Sequence, residues 1–199
     1  MRSNRLEAFS DGVMAIIITI MVLELKPPSG PTLDALWQTT GPSLLSYLLS
    51  FVYIGIYWNN HHHLFQVCEQ VDGMVLWANL AQLFVLSLLP FTTSWMDDSR
   101  LAAVPVVVYG VNLLGAAMAY FLIEHAMARI PGQRERMQEV FGQTGKEVWS
   151  LVLYVAGILL AALVVPWLGL VVFTAVAAIW VIPDRRVERY LAQLGSETA

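Results

Sequence analysis

Charge is what this chain lacks most. Lysine, arginine, aspartate and glutamate make up 13% of its 199 residues, about half the share of an ordinary soluble domain. So few charges cannot wet the surface of a soluble globule of this size, and a 57% apolar content excludes disorder on the same grounds. Cysteine is nearly missing too: the lone Cys68 rules out a disulfide scaffold. A net charge of −4 argues against nucleic acid as a partner, because phosphate binding needs clustered cations. No glycine-rich phosphate cradle, internal repeat or low-complexity run occurs.

What the chain has instead is long apolar runs, which point to a single all-α membrane domain over residues 1–199. A crossing helix needs about 20 mostly apolar residues. Six stretches qualify, at approximately 5–25, 42–64, 75–95, 101–123, 148–165 and 168–182. The last two divide one apolar block, Val148 to Ile182, at Pro166-Trp167-Leu168-Gly169, where the turn chemistry lies. The second piece is short for a full span, and a re-entrant pair is the alternative for this block. Arg2 and Arg5 precede the first run, but Glu24-Leu25-Lys26-Pro27-Pro28 follows it in place of a small-residue cleavage site, so it reads as a mature helix. Asn4 with Glu7 three residues on has the form of a capping box. Pro27, Pro28, Gly30, Pro31 and Gly41 make Lys26–Gly41 an expected non-helical outer connection. Residues 129–147 are expected to form a cytoplasmic loop or surface helix, and 184–199 to extend the last helix and fray.

Basic residues collect on the cytoplasmic side of membrane proteins. With the N-terminus inside, the inner segments carry Arg2, Arg5, Arg129, Arg134, Arg136, Lys146, Arg185, Arg186 and Arg189, and the outer loops carry only Lys26 and Arg100. An odd number of crossings would move the Arg185-Arg186-Arg189 cluster outside. Six crossings with both termini cytoplasmic fit best.

The first helix carries two faces. Phe9, Gly12, Ile16, Thr19 and Leu23 follow a three-four spacing with Ile20 at its edge, an a/d seam. That seam either packs on another helix of the same subunit or gathers several copies around an axis. Around an axis, Ile16, Ile20 and Leu23 would form hydrophobic rings that gate by dewetting, and Thr19 would add a polar ring. Asp11 lies about 140° round the helix from Ile16. A carboxylate within a membrane helix is costly unless partnered. At the same depth lie Trp58-Asn59-Asn60-His61-His62-His63 and the start of the third helix, with Trp77, Asn79 and Gln82. Arg5, Ser10, Asp11, Asn60, His61, His62 and Asn79 could therefore form one buried polar network that orients the first helix.

Three consecutive histidines suggest zinc, but neighbouring helical side chains diverge by about 100° and cannot converge on one ion. At most one or two could ligate alongside Asp11 or Glu69, so no metal site is expected. Ser10 beside Asp11 is no nucleophile–base pair, since adjacent helical positions do not face each other. No enzyme is expected, although an intramembrane enzyme using Asp11 and His62 is a competing reading. The carbonyl filter Thr-Val-Gly-Tyr-Gly is missing, with Val108-Tyr109-Gly110 a mid-helix fragment of it.

Arg5-Leu6-Glu7-Ala8-Phe9-Ser10-Asp11 followed by Ala15-Ile16 resembles the first-helix signature of the transmembrane protein 175 family of potassium channels. Tyr57-Trp58-Asn59-Asn60-His61-His62-His63-Leu64-Phe65 resembles the end of that family's second helix. Trp77-Ala78-Asn79, Phe84 and Leu88-Leu89-Pro90-Phe91 resemble its third. The resemblance implies a six-helix subunit, a homotetramer in the lipid bilayer, and first helices lining a central pore without a carbonyl filter. It matches Ile16 to the narrow hydrophobic ring and Ile20 and Leu23 to further apolar layers of the gate. Thr19 falls with Ile16 at the selectivity position, and Phe9 and Gly12 at the cytoplasmic entrance. Arg5, Phe9, Ser10, Asp11, Trp58, Asn60, His61, His62 and Asn79 match the structural network. His63 departs from the pattern, standing where many members carry a basic residue.

The expected function is a weakly discriminating, potassium-selective channel in the cell (plasma or inner) membrane, with potassium ions as the permeant species and no cofactor. A secondary transporter, or a proton-permeable channel using the Asp/His/Asn network, is the alternative.

Overall fold

The computed structural model describes residues 3–68, 70–134, 137 and 145–181. Arg2, Glu69, Arg136, the Arg185-Arg186-Arg189 cluster, the 184–199 tail and part of the 129–147 connection lie outside the described residues. The described chain is helical: α1 Asn4–Leu23, α2 Leu33–Val67, α3 Gly73–Ser87, α4 Leu89–Asp98, α5 Ala103–Ala128, α6 Lys146–Leu163 and α7 Pro166–Val181. Five segments are long and apolar enough to cross a membrane, with α3 and α4 counting as one, Gly73–Asp98; α7, at 16 residues, is shorter.

Several boundaries differ from the sequence expectation for local reasons. The capping box does not form: Ser3 is the N-cap and makes no side-chain cap bond, while its carbonyl accepts from Leu6 and Glu7 N–H at 2.9 and 3.0 Å. Helix α2 starts at Leu33, inside the segment expected to be non-helical. The Thr32 hydroxyl accepts the Ala35 N–H at 3.1 Å, which satisfies a donor that a helix start leaves unpaired. The helix then runs straight through Pro42, losing one backbone bond there. Thr40 Oγ1 donates to Lys26 O at 2.8 Å and ties the connection back. At about 1.5 Å per residue, α2 is about 50 Å long, more than the roughly 30 Å hydrocarbon layer. A helix of that length exceeds the layer unless it is tilted. Helix α5 begins at Ala103 rather than 101, because Arg100 and Leu101 take positive φ of 53° and 58° in the tight turn after α4.

Helix α1 lies on α2, α3 and α4, and α5 sits between α3 and α6. The α6–α7 hairpin closes at small residues: a Cβ on Gly169 would stand 2.8 Å from Gly157 O. Phe173 of α7 fills the space beside Gly110 and Gly157, where an added Cβ would meet its ring at 2.4 and 2.6 Å. Close approach over small residues is a main source of attraction between helices in lipid.

Candidate functional site

Leu6, Ser10, Met14, Ile17 and Met21 are the buried residues of α1, spaced to fall on one side of the helix. In lipid, apolar burial scarcely prefers one helix rotation to another, so the polar contacts of this side decide how α1 is turned.

Those contacts form two groups near the N-terminal end of α1. In the first, three helices meet at Asn79 of α3. Asn79 Nδ2 donates to Ser10 Oγ at 3.0 Å, and Ser10 Oγ donates to Leu6 O at 2.9 Å. Asn79 Oδ1 lies 2.7 Å from His61 Nε2, a pairing that assigns the imidazole proton to Nε2. In the second group, α1 and α2 run antiparallel and pair at two levels one turn apart. Trp58 Nε1 donates to Asp11 Oδ1 at 3.0 Å. One turn nearer the N-terminus, Glu7 Oε1 lies 2.7 Å from His62 Nδ1, and Gln66 lies 2.7 Å from His62 Nε2. The Trp58 and His62 rings stack with centroids 6.0 Å apart and planes 12° apart, which keeps the two levels in register.

The structure thus splits the expected network into a buried junction of Ser10, His61 and Asn79 and a more exposed one of Asp11, Trp58 and His62, and separates the other expected members. Asn60 bonds back to Ile56 O at 2.9 Å, and its carbonyl accepts from Tyr120 of α5 at 3.4 Å, so it faces away from α1. Arg5 is exposed, with no side-chain bond among the described residues. Phe9 is 53% exposed and lies outside the network. Glu7 and Gln66 belong to it although the sequence reading gave them no such place. The missed signal was the antiparallel step: one turn back from Asp11 is Glu7, and one turn on from Trp58 is His62. His61 Nδ1 and both polar atoms of buried Gln82 have no partner among the described residues. No group of three histidine, cysteine, aspartate or glutamate side chains close enough for a metal ion occurs among the described residues.

The opposite face of α1 is uncovered. Ile16, Ile20 and Leu23 are 58%, 44% and 79% exposed, and Gly12 and Thr19 are also exposed. The alternative that this seam packs against another helix of the same subunit does not hold for the described residues. Thr19 Oγ1 donates to Ile16 O at 2.9 Å, which leaves the lone pairs of the hydroxyl oxygen open. Ile16 and Ile20 also border a groove whose other wall is Ser87, Pro90, Phe91, Ser94 and Trp95. At the end of the groove nearest the α1 C-terminus Ser94 donates to Glu24 at 3.0 Å, and Lys26 Nζ lies 2.6 Å from Asp98. The hydrogen bond and charge of Asp98, aided by Asp97 and Glu24, raise the Lys26 ammonium above the ordinary lysine range.

Fold and site together define the class: an all-helical membrane protein whose first helix is held on one flank by polar contacts and left bare on the other. The family model described as endosomal/lysosomal potassium channel TMEM175 matches residues 5–90. A protein named as a potassium channel in Chryseobacterium sp. (strain P1-3) is 47% identical over 193 residues, 97% of this chain and 100% of the relative. The human protein named endosomal/lysosomal proton channel TMEM175 is 36% identical over 94 residues, 41% of this chain and 19% of that one. A crystal structure titled as a lysosomal potassium-selective channel TMEM175 homolog from Chamaesiphon minutus superposes with a TM-score of 0.73 at 28% identity, covering 90% of this chain and 96% of that one. The chain belongs to the TMEM175 family of ion channels.

Proposed function

We propose that this protein is a potassium-permeable, weakly discriminating cation channel of the cell membrane. Four copies gather their α1 helices around a central pore, each subunit crosses the bilayer six times, and both termini are cytoplasmic. The observation that carries this reading is the bare stripe of α1, set beside a polar flank that fixes the rotation of the helix. Phe9 and Gly12 line the cytoplasmic entrance. Ile16, Ile20 and Leu23 form successive apolar rings, the narrowest at Ile16, which exclude water when closed. Thr19, with its proton given to the Ile16 carbonyl, offers oxygen lone pairs to a partly dehydrated cation between the rings. The Ser10–Asn79–His61 and Asp11–Trp58 contacts keep the rings aimed at the axis. Permeation alters no covalent bond, so the site needs no catalytic residue and no resident cofactor.

The experiment is potassium flux from liposomes holding the purified protein, with a copy count of the assembly. Four copies and a flux that rises with Ile16→Asn and changes selectivity with Thr19→Ala support the reading; a monomer, or no flux from pure protein, overturns it. A second reading has its own support, because the animal relatives are named proton channels. On that reading the same α1 pore also passes protons. A pH-sensitive dye inside the same liposomes tests it, and an acid-driven signal that Ile16→Asn leaves unaltered counts against it.

A further inference from the structure

The backbone break between α3 and α4 has no role in the reading above. At Leu88 the N–H turns back to Val85 O at 3.2 Å, and Pro90, just beyond, has no N–H to give. In an unbroken helix the Leu89 N–H would reach Val85 O. The carboxamide of Asn112, from α5, stands between those two groups. Its NH2 donates to Val85 O at 2.9 Å, and its oxygen accepts from Leu89 N–H at 3.3 Å and Thr92 Oγ1 at 3.1 Å. The reverse orientation would set oxygen against acceptors and nitrogen against donors, so the partners fix the amide. Asn112 is buried. The helices come close here because Gly115, almost one turn on, has no side chain: a Cβ there would stand 3.3 Å from Val85. One side-chain amide therefore replaces a missing rung of the backbone ladder, an insertion of the kind that fixes a helix kink.

The other side of the same junction is the wall facing α1. Pro90, Phe91 and Trp95 lie across the groove from Ile16 and Ile20, with the Phe91 and Trp95 rings stacked at 5.9 Å. We propose that Asn112 is a positioning residue for conduction, splinting the α3–α4 break so that Phe91 and Trp95 are held against the α1 segment bearing the Ile16 and Ile20 rings. This rests on the channel reading of the α1 stripe. Without the splint, Leu89 N–H would lose its partner and Val85 O would keep only the 3.2 Å bond from Leu88, leaving both under-satisfied at membrane depth, where backbone groups must find protein partners. The junction would relieve them by straightening or unwinding, and the wall would leave α1.

The test uses the full-length protein in liposomes, with amide hydrogen exchange over residues 85–92 and potassium flux per assembled complex. Asn112→Val keeps roughly the same volume and removes all three amide bonds. The expected result is exchange at Leu89 at least tenfold faster and flux at least fivefold lower. In Asn112→Val with Pro90→Ala the helix can straighten and Leu89 can reach Val85 directly, so exchange slows again while flux stays altered. Unchanged exchange in Asn112→Val overturns the splint, and faster exchange with wild-type flux overturns its link to conduction. If Asn112→Val alone does not assemble, the double variant decides: assembly with slow exchange and altered flux supports the proposal, and failure to assemble overturns it. Wild-type protein that passes no potassium defeats the channel reading instead, and the exchange arm still judges the splint.

Discussion

Among the described residues, 4–98 hold their helices with directional bonds, whereas 103–181 hold theirs chiefly by close contact, with Trp180 Nε1 donating to Ser150 Oγ at 2.7 Å between α7 and α6. In the first region Asn79 joins α3 to Ser10 of α1 and His61 of α2, and Asp11 and Glu7 each meet a ring of α2. In the second, Phe173 sits against Gly110 and Gly157, and Gly169 lies on the Gly157 carbonyl. Tyr53 joins the regions, donating to Phe173 O at 2.6 Å. In lipid, close packing sets how near two helices come but discriminates weakly between rotations, and hydrogen bonds do the latter. A helix whose bare face has a task needs its rotation fixed; a helix that serves as scaffold needs only to fit. The family model covers residues 5–90, the region held by directional bonds.

The largest effect belongs to the close-packed region. Phe173→Ala empties the space that Gly110 and Gly157 leave for the ring, and removal of a buried aromatic side chain costs about 3–5 kcal/mol. The expected outcome is a much lower thermal midpoint in detergent, or loss of assembled protein, read by size-exclusion chromatography. A midpoint unchanged by Phe173→Ala would break the comparison, since packing would then not be what holds the region.

Asn79→Leu comes next. It leaves Ser10 Oγ and His61 Nε2 without their interhelical partner. Such bonds contribute about 0.6 kcal/mol on average in membrane proteins and up to about 1.7, and stranding buried partners adds a desolvation cost of about 1–3 kcal/mol. The stability loss should be smaller than for Phe173→Ala, yet potassium flux should fall further relative to stability, because the rotation of α1 is what the bond controls. Flux that merely tracks the amount of folded protein would remove the distinction between the regions. Trp58→Phe sharpens the point. It keeps an aromatic ring beside His62 and deletes only the indole donor to Asp11, with an expected stability loss of about 0.6 kcal/mol, read as a small drop in the thermal midpoint.

The same division separates what the sequence made legible from what it did not. The apolar runs pointed to five segments long and apolar enough to cross a membrane, because length and polarity alone decide that property. Asp11 could be placed beside the end of α2, and His61 beside Asn79, because a costly carboxylate in an apolar helix and the polar ends of its neighbours share one depth. Glu7 was hidden by ambiguity: an acid in the first turn serves a cap as readily as a partner on another helix. Arg5 and Asn60 show the converse, since sharing a depth does not fix the direction of a side chain, and the rotation of α2 turns Asn60 toward α5. Pro42 suggested a helix start, yet the Thr32 cap lies ten residues earlier. The α3–α4 break is legible only in part: Pro90 announces it, but the Asn112 amide that fills it comes from another helix.

The smallest effect lies at the α1 C-terminal end, where the first region is closed by charge. Lys26 and Asp98 are 2.6 Å apart but largely exposed, with 71% and 55% of their side-chain surfaces accessible, so solvent screens the pair and its rigidity costs entropy. The Lys26 pKa is raised, chiefly by the hydrogen bond to Asp98. A group whose folded pKa is raised contributes stability that is fully present below its unfolded value and is lost as pH climbs through the folded one. The contribution should therefore be constant from about pH 6 to 9 and fade only above the ordinary lysine range, near 10.4. Lys26→Ala should lower the thermal midpoint slightly at low salt and not measurably at about 1 M salt, where charges are screened within about 3 Å. A large, salt-insensitive loss would mean that this end is anchored through the lysine stem or the Lys26 carbonyl bonded by Thr40 and not through charge, and it would then belong with the close-packed region.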